Sequence, residues 1–112
     1  MCGICGQYNF VADGPVDAQA IKRMADAIAH RGPDDEGQFI SGSIGLGFRR
    51  LSIIDVEGGH QPMSDADGSV WVVFNGEIYN FSELKTQLQS HGHVFRTNSD
   101  TEVIVHGYKQ WG

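Results

Sequence analysis

Apolar residues recur along the chain with two different periods, and the changes of period predict its secondary structure. Alternation over residues 4–10 predicts a first strand. Apolar residues at positions 21, 24, 25 and 28 then predict an amphipathic helix of about three to four turns. Pro15 and Asp17 supply its start signal, and the Gly-Pro pair within residues 30–33 ends it.

The remaining pattern predicts four further strands and two further helices. Residues 37–54 read as two strands joined at 41–43, and residues 55–69 as a polar, glycine-rich loop. The apolar run at 70–74 is typical of a strand buried on both faces. A helix over 80–92, a short strand at 94–96 and a helix opened by an S-x-x-E capping box at 99–102 follow. This order predicts a layered α+β domain.

Composition narrows the class of protein. The 112 residues are 40% hydrophobic and 20% charged, which is typical of one globular domain. The net charge of −6 argues against nucleic acid or an anionic membrane as a partner. No apolar run approaches the ~20 residues of a membrane span, and the N-terminus lacks the features of a secretory signal. Two cysteines three positions apart cannot staple a fold, so we expect a reducing, cytoplasmic setting.

Cys2 and Cys5 allow three interpretations. A C-x-x-C redox or metal site is one, but a strand would direct the two thiols to opposite faces, and a metal would need further ligands. Packing as small apolar groups is the second, and it suits Cys5. The third concerns Cys2 alone, since removal of Met1 would leave a thiol and a free α-amine on one residue. Such an amine can serve as the general base for its own side chain.

Three other groups of polar residues have both a structural and a functional interpretation. Asn75-Gly76 between apolar runs is a strong hairpin signal, but an amide side chain and an accessible N–H also make an oxyanion hole. Arg50, at the end of a predicted strand, is either solvated or a clamp for a substrate carboxylate. Asp100 is either a first-turn helix residue or an acceptor for a substrate ammonium group.

Six motifs, taken together and in order, resemble those of one family. The motifs are MCGICG, HRGPDDEG, GFRRLSIID, HQPM, VFNGEIYNF and SDTEVI. They are similar to the N-terminal glutaminase domain of class II glutamine amidotransferases, and most of all to the glutamine-hydrolysing asparagine synthetase branch. The resemblance covers essentially the whole chain.

The resemblance implies a role for each matching residue. Cys2, after loss of Met1, corresponds to the nucleophile that attacks the side-chain amide of glutamine. Asn75 and Gly76 correspond to the oxyanion hole, and Arg50 to the group that binds the α-carboxylate. Glu77 and Asp100 correspond to positions that hold the α-amino end, and Leu51 and Ile53 to the neighbouring backbone of the pocket. The loop at residues 31–33 lies beside the nucleophile strand, with no role assigned.

The family fold is a four-layer α/β/β/α sandwich of the N-terminal nucleophile hydrolase type, with mostly antiparallel sheets. We expect residues 1–112 to be a single, partial domain of this type, truncated at its C-terminal side. The resemblance implies L-glutamine as substrate and an ATP-dependent synthetase domain as partner, which we expect to be absent here. No cofactor is expected in this chain, and ATP and magnesium only in that other domain. A non-catalytic module of the same fold and a homo-oligomer both stay open.

Overall fold

The computed structural model describes residues 2–11, 14–51 and 58–112. Its strands and helices are, in chain order, β1 (Gly3–Tyr8), α1 (Ala18–Ala27), β2 (Asp35–Ser41), β3 (Ile44–Arg50), β4 (Met63–Ser64), β5 (Trp71–Val72), α2 (Phe81–Ser90) and α3 (Thr101–Trp111). A single 3-10 turn over Ala29–Arg31 follows α1. The mixed α/β architecture with antiparallel strands agrees with the predicted α+β class.

Strands β1, β3 and β2 form an antiparallel sheet in that order. The β2–β3 hairpin turns at residues 42–43, inside the predicted connection. In this register Phe48 and Arg50 of β3 lie on one face of the sheet, whereas Arg49 lies on the other, because side chains alternate along a strand. The two arginines therefore enter different surroundings.

Helix α1 covers the face of the sheet that carries Arg49. Asp17 caps the helix as predicted, since its carboxylate accepts the N–H of Gln19 at 2.9 Å. Ile21 is fully buried against the strand at Gly45, where an added Cβ would meet the Ile21 side chain. Glycine in the strand thus lets the helix approach closely, and burial of one such isoleucine contributes about 1.5–3 kcal/mol.

Strands β4 and β5 cover part of the opposite face, the one that carries Phe48 and Arg50. The rings of Phe39 and Trp71 stack across this contact, with centroids 4.0 Å apart and planes inclined by 10°. Helix α3 packs behind the β4–β5 pair, and α2 packs beside α3 with Leu88 fully buried. These contacts place the N-terminus of α3 near the end of β3.

The predicted strand at 70–74 is wrong in length and burial. Only Trp71 and Val72 form a ladder, with the two residues of β4, which lay inside the predicted polar loop. All five residues of the run are partly exposed. The continuous apolar run predicts a strand buried on both faces, but only a two-residue partner lies beside it in the described part of the chain.

The predictions around the start of α3 need two corrections. No strand forms at residues 94–96, because the Arg96 N–H donates to the Glu102 carboxylate at 2.8 Å rather than to a neighbouring strand. The helix begins where the capping box predicted, but the Glu102 carboxylate does not accept the Ser99 N–H, which donates to the Thr97 hydroxyl at 3.2 Å. The Ser99 hydroxyl instead accepts the N–H of Thr101 at 3.2 Å.

None of the helices in the described ranges is both long enough and apolar enough to cross a membrane.

Candidate active site

A cleft of about 730 Å³ opens between the end of β3, the segment before α2 and the N-terminus of α3. Five predicted site residues from these three segments line it: Arg50, Leu51, Gly76, Glu77 and Asp100. Residues separated by up to fifty positions in sequence thus share one cavity. The predicted residue Ile53 lies outside the described residues.

Arg50 enters the cleft as the last residue of β3 and is only 8% exposed. Its guanidinium packs against Gly59, where an added Cβ would overlap it. The neighbouring Arg49 donates to the Gly32 carbonyl at 3.0 Å and to Glu36 at 2.8 Å on the other face of the sheet. Of the two arginines, only Arg50 lines the cleft. A guanidinium is the planar group that binds a carboxylate through two parallel hydrogen bonds.

Asp100 lies across the cleft, immediately before α3. Its Oδ2 atom accepts the backbone N–H of Ile78 at 2.8 Å, and its side chain makes no hydrogen bond that caps the helix. The cleft is thus lined both by a guanidinium, at the end of β3, and by a carboxylate, at the start of α3. Those are the complements of the α-carboxylate and α-ammonium of an amino acid.

The segment with Asn75 and Gly76 does not form the hairpin that its Asn-Gly pair favours. The chain passes from β5 through this segment into α2. Gly76 lines the cleft, and the partly exposed Asn75 precedes it. Hydrogen bonds fix the backbone on both sides, from Phe74 N–H to Gln61 Oε1 at 2.6 Å and from Ile78 N–H to Asp100. The short span between these anchors holds both predicted oxyanion donors.

Cys2 lies just before β1, with its thiol against the backbone of Leu51. The Leu51 N–H points at the sulfur from 3.4 Å, and Arg31 Nε donates to the Cys2 carbonyl at 3.1 Å. Because Leu51 also lines the cleft, the thiol lies beside the cleft wall. The loop at residues 31–33, which had no assigned role, therefore anchors the backbone of Cys2.

The thiol of Cys5 has different surroundings, as strand alternation predicted. Its sulfur covers Gly47, on the α1 face of the sheet, and burial raises the pKa of the thiol. Both cysteines are free thiols. In the ranges that the structure describes, no group of three or more His, Cys, Asp or Glu side chains could hold a metal ion.

A buried carboxylate organises the loop that leads into Asp100. Glu102 is 2% exposed and accepts the hydroxyl of Thr97 at 2.7 Å, the backbone N–H of Arg96, and His106 Nε2 at 2.9 Å. Burial alone would raise the pKa of Glu102, but these hydrogen bonds outweigh it and hold the pKa below its ordinary value. The loop is thus fixed around an ionised group.

Sequence reasoning named Arg31 without a role and missed Gly59 and Gln61, although all three residues shape the site. Each lies in one of the quoted motifs or directly beside it, but its contact is with a residue distant in sequence. Their position in or beside these motifs is the only signal in the sequence that they contribute to the site.

Comparison with known proteins settles the family. The sequence model of the family described as "Glutamine amidotransferase domain" matches residues 1–112. The chain belongs to the glutamine amidotransferase domain family.

Curated relatives of this domain are named as asparagine synthetases. Asparagine synthetase [glutamine-hydrolyzing] 1 of Bacillus subtilis (strain 168) is 48% identical over 99% of the chain and 18% of its own length. Asparagine synthetase [glutamine-hydrolyzing] 2 of the same organism is 50% identical over the whole chain and 15% of its own length. The first such enzyme of Arabidopsis thaliana is 38% identical over the whole chain and 19% of its own length. The chain therefore spans less than a fifth of each of these relatives.

Proposed function

We propose that this domain hydrolyses L-glutamine to glutamate and ammonia through a thioester on Cys2. The observation that carries the proposal is the shared cleft: Arg50 and Asp100 lie in one cavity, and the Cys2 thiol contacts Leu51 of its wall. Arg50 would bind the α-carboxylate of glutamine. Asp100 and Glu77 would hold the α-ammonium group. The substrate amide would then extend toward the thiol.

The reaction follows from these positions. With Met1 removed, the α-amine of Cys2 takes the thiol proton, and the thiolate attacks the amide carbon of the substrate side chain. Asn75 Nδ2 and the Gly76 N–H stabilise the oxyanion of the tetrahedral intermediate. Its collapse breaks the C–N bond, the protonated amine returns its proton, and ammonia leaves. Water then attacks the thioester, which releases glutamate and regenerates the thiol.

The domain fold and the fate of the ammonia belong to the same proposal. We assign the fold to the four-layer α/β/β/α sandwich of N-terminal nucleophile hydrolases. The order of packing supports this, since α1 packs on the β1–β3–β2 sheet, Trp71 of β5 stacks on Phe39 of that sheet, and α3 packs on β4 and β5. The names of the relatives support a synthetase domain that uses the ammonia to aminate a carboxylate such as aspartate. In this proposal ATP and magnesium bind only in that other domain. A cytoplasmic location is part of the same proposal.

The test compares wild type with Cys2→Ala in the natural full-length protein. We expect wild type to release glutamate from glutamine, to form a covalent adduct that acid quenching traps, and to lack Met1 by intact-mass spectrometry. Cys2→Ala should show neither hydrolysis nor adduct. Hydrolysis retained in Cys2→Ala would refute the mechanism, and a retained Met1 without hydrolysis would favour a non-catalytic module.

A further inference from the structure

The side chain of Gln61 links two walls of the cleft. It is 5% exposed, and its Oε1 accepts the Phe74 N–H at 2.6 Å while its Nε2 donates to the Thr101 hydroxyl at 3.3 Å. A backbone N–H can only donate, so the atom that faces Phe74 must be the amide oxygen, and the NH₂ group must face Thr101. The amide orientation is therefore determined by its partners.

The two partners of Gln61 flank the groups that would meet the substrate. Phe74 directly precedes Asn75, and Thr101 directly follows Asp100. One amide thus ties the oxyanion segment to the helix that presents the ammonium acceptor. The second tie between the same segments, from Ile78 to Asp100, lies at the other end of the oxyanion segment.

The backbone around Gln61 also contacts a third wall of the cleft, the one formed by the end of β3. Two positions earlier, Gly59 packs against the guanidinium of Arg50, and the carbonyl of Gln61 lies directly over Gly37 of β2. The amide therefore extends from a base that is fixed on the sheet. A shift of this stretch would displace the carboxylate clamp, the oxyanion donors and the ammonium acceptor together.

We infer that Gln61 is a positioning residue for glutamine hydrolysis, which sets the distance between the oxyanion donors and the groups that bind the amino-acid end of the substrate. The inference rests on the proposed function. It predicts that loss of the amide weakens only reactions in which a glutamine-shaped molecule must reach both ends of the cleft. Misplacement by about 1 Å can cost roughly a hundredfold in rate.

The experiment uses the natural full-length protein with Gln61→Met, which keeps the side-chain length and removes both hydrogen bonds. Thr101→Val removes one partner and keeps the shape, and Thr101→Ser restores the hydroxyl. Ser69→Ala is the matched control, since it removes a hydrogen bond to Asp65 and neither residue lines the cleft. We expect kcat/KM for glutamine to fall about tenfold to a hundredfold in Gln61→Met and Thr101→Val. It should stay within threefold of wild type in Thr101→Ser and Ser69→Ala.

The rates at which two reagents alkylate Cys2 distinguish a misaligned site from a site that has lost its structure. A diazoketone analogue of glutamine alkylates the nucleophile only when it is held in the pocket, whereas iodoacetamide needs access alone. In Gln61→Met the rate of Cys2 alkylation should fall at least tenfold for the diazoketone and stay within twofold for iodoacetamide. If Gln61→Met does not fold, the same two alkylation rates are compared between Thr101→Val and Thr101→Ser.

The outcomes distinguish the two proposals. Wild type without glutaminase activity would overturn the proposed function and this inference with it. Cys2-dependent activity that Gln61→Met and Thr101→Val both leave unchanged would overturn the inference alone. Equal loss of both alkylation rates would also overturn it, because it would show a collapsed site rather than a misaligned one.

Discussion

Asp100 connects two walls of the cleft, because its Oδ2 accepts the Ile78 N–H at 2.8 Å while the residue lines the same cavity as Arg50. Among the described residues, this is its only side-chain hydrogen bond. One carboxylate oxygen thus holds the segment that contains Gly76, and the other can accept from a substrate ammonium group. The same group serves structure and binding, and substitutions can separate the two uses.

The first prediction concerns the charge of Asp100. Asp100→Asn keeps an oxygen for the Ile78 N–H and removes the negative charge. Because a hydrogen bond to a charged group contributes about 1.5–3 kcal/mol, we expect kcat/KM for glutamine to fall roughly tenfold to a hundredfold, mainly through KM. Steady-state hydrolysis and the midpoint of thermal unfolding should be measured together. Asp100→Ala, which also loses the Ile78 bond, should unfold at a lower temperature than Asp100→Asn. An unchanged KM in both variants would show that Asp100 acts only on the backbone.

The second prediction concerns the space above Gly59. Gly59→Ala would place a Cβ where the Arg50 guanidinium lies, so Arg50 must leave its position. We expect KM for glutamine to rise at least tenfold, with a smaller change in kcat, because the carboxylate clamp and not the nucleophile is displaced. Gly107→Ala is the control, since its Cβ would meet Trp111 only at 3.7 Å, an ordinary contact. That change should stabilise α3 by up to about 1 kcal/mol and leave KM unaltered. Equal kinetics for the two alanine variants would disprove the role of Gly59.

A third prediction separates the two cysteines. Burial raises the pKa of the Cys5 thiol, so at neutral pH a smaller fraction of Cys5 is thiolate than of an ordinary, exposed cysteine. Iodoacetamide should therefore alkylate Cys2 faster than Cys5, as peptide mass mapping of partly labelled protein would show. Cys5→Ala should retain glutaminase activity within about threefold, at a modest loss of stability from the space left over Gly47. Abolition of activity by Cys5→Ala would revive the C-x-x-C interpretation of the N-terminus.

Features of the structure that depend on contacts between sequence neighbours were predicted well, and features that depend on contacts between distant residues were not. Helix α1 was predicted from its apolar period and the cap at Asp17, both of which act within one or two turns. The strand at 70–74 was overestimated, because strand composition does not specify the partner that pairs with it. Motifs placed Arg50 among the candidate site residues. They could not show that Gln61 joins Phe74 to Thr101, since those contacts cross 13 and 40 positions of sequence.

The last prediction concerns the stability of the domain in acid. Asp65 is buried, and burial alone would raise its pKa. Hydrogen bonds from Lys109, from the N–H of Val70 and from the Ser69 hydroxyl outweigh that effect and hold the pKa well below its ordinary range. A carboxyl group with a pKa that is lower in the folded than in the unfolded state stabilises the fold above the unfolded pKa of about 4. That contribution is lost progressively as pH falls below this value.

Asp65→Asn should therefore lower the free energy of unfolding by about 2–4 kcal/mol at pH 7, where it leaves buried donors without their charged acceptor. The difference from wild type should narrow as the pH falls from about 5 to 2, because the Asp65 carboxyl group becomes protonated in the unfolded wild-type chain and this stabilises the unfolded state. Urea unfolding at several pH values measures both effects. Asp67→Asn is the matched control, since Asp67 also faces Lys109, at 3.4 Å, but is 66% exposed. An exposed pair contributes only about 0–1 kcal/mol, so this variant should follow wild type at every pH. If the gap between wild type and Asp65→Asn stayed constant across the series, the ionised state of Asp65 would not be the source of its contribution.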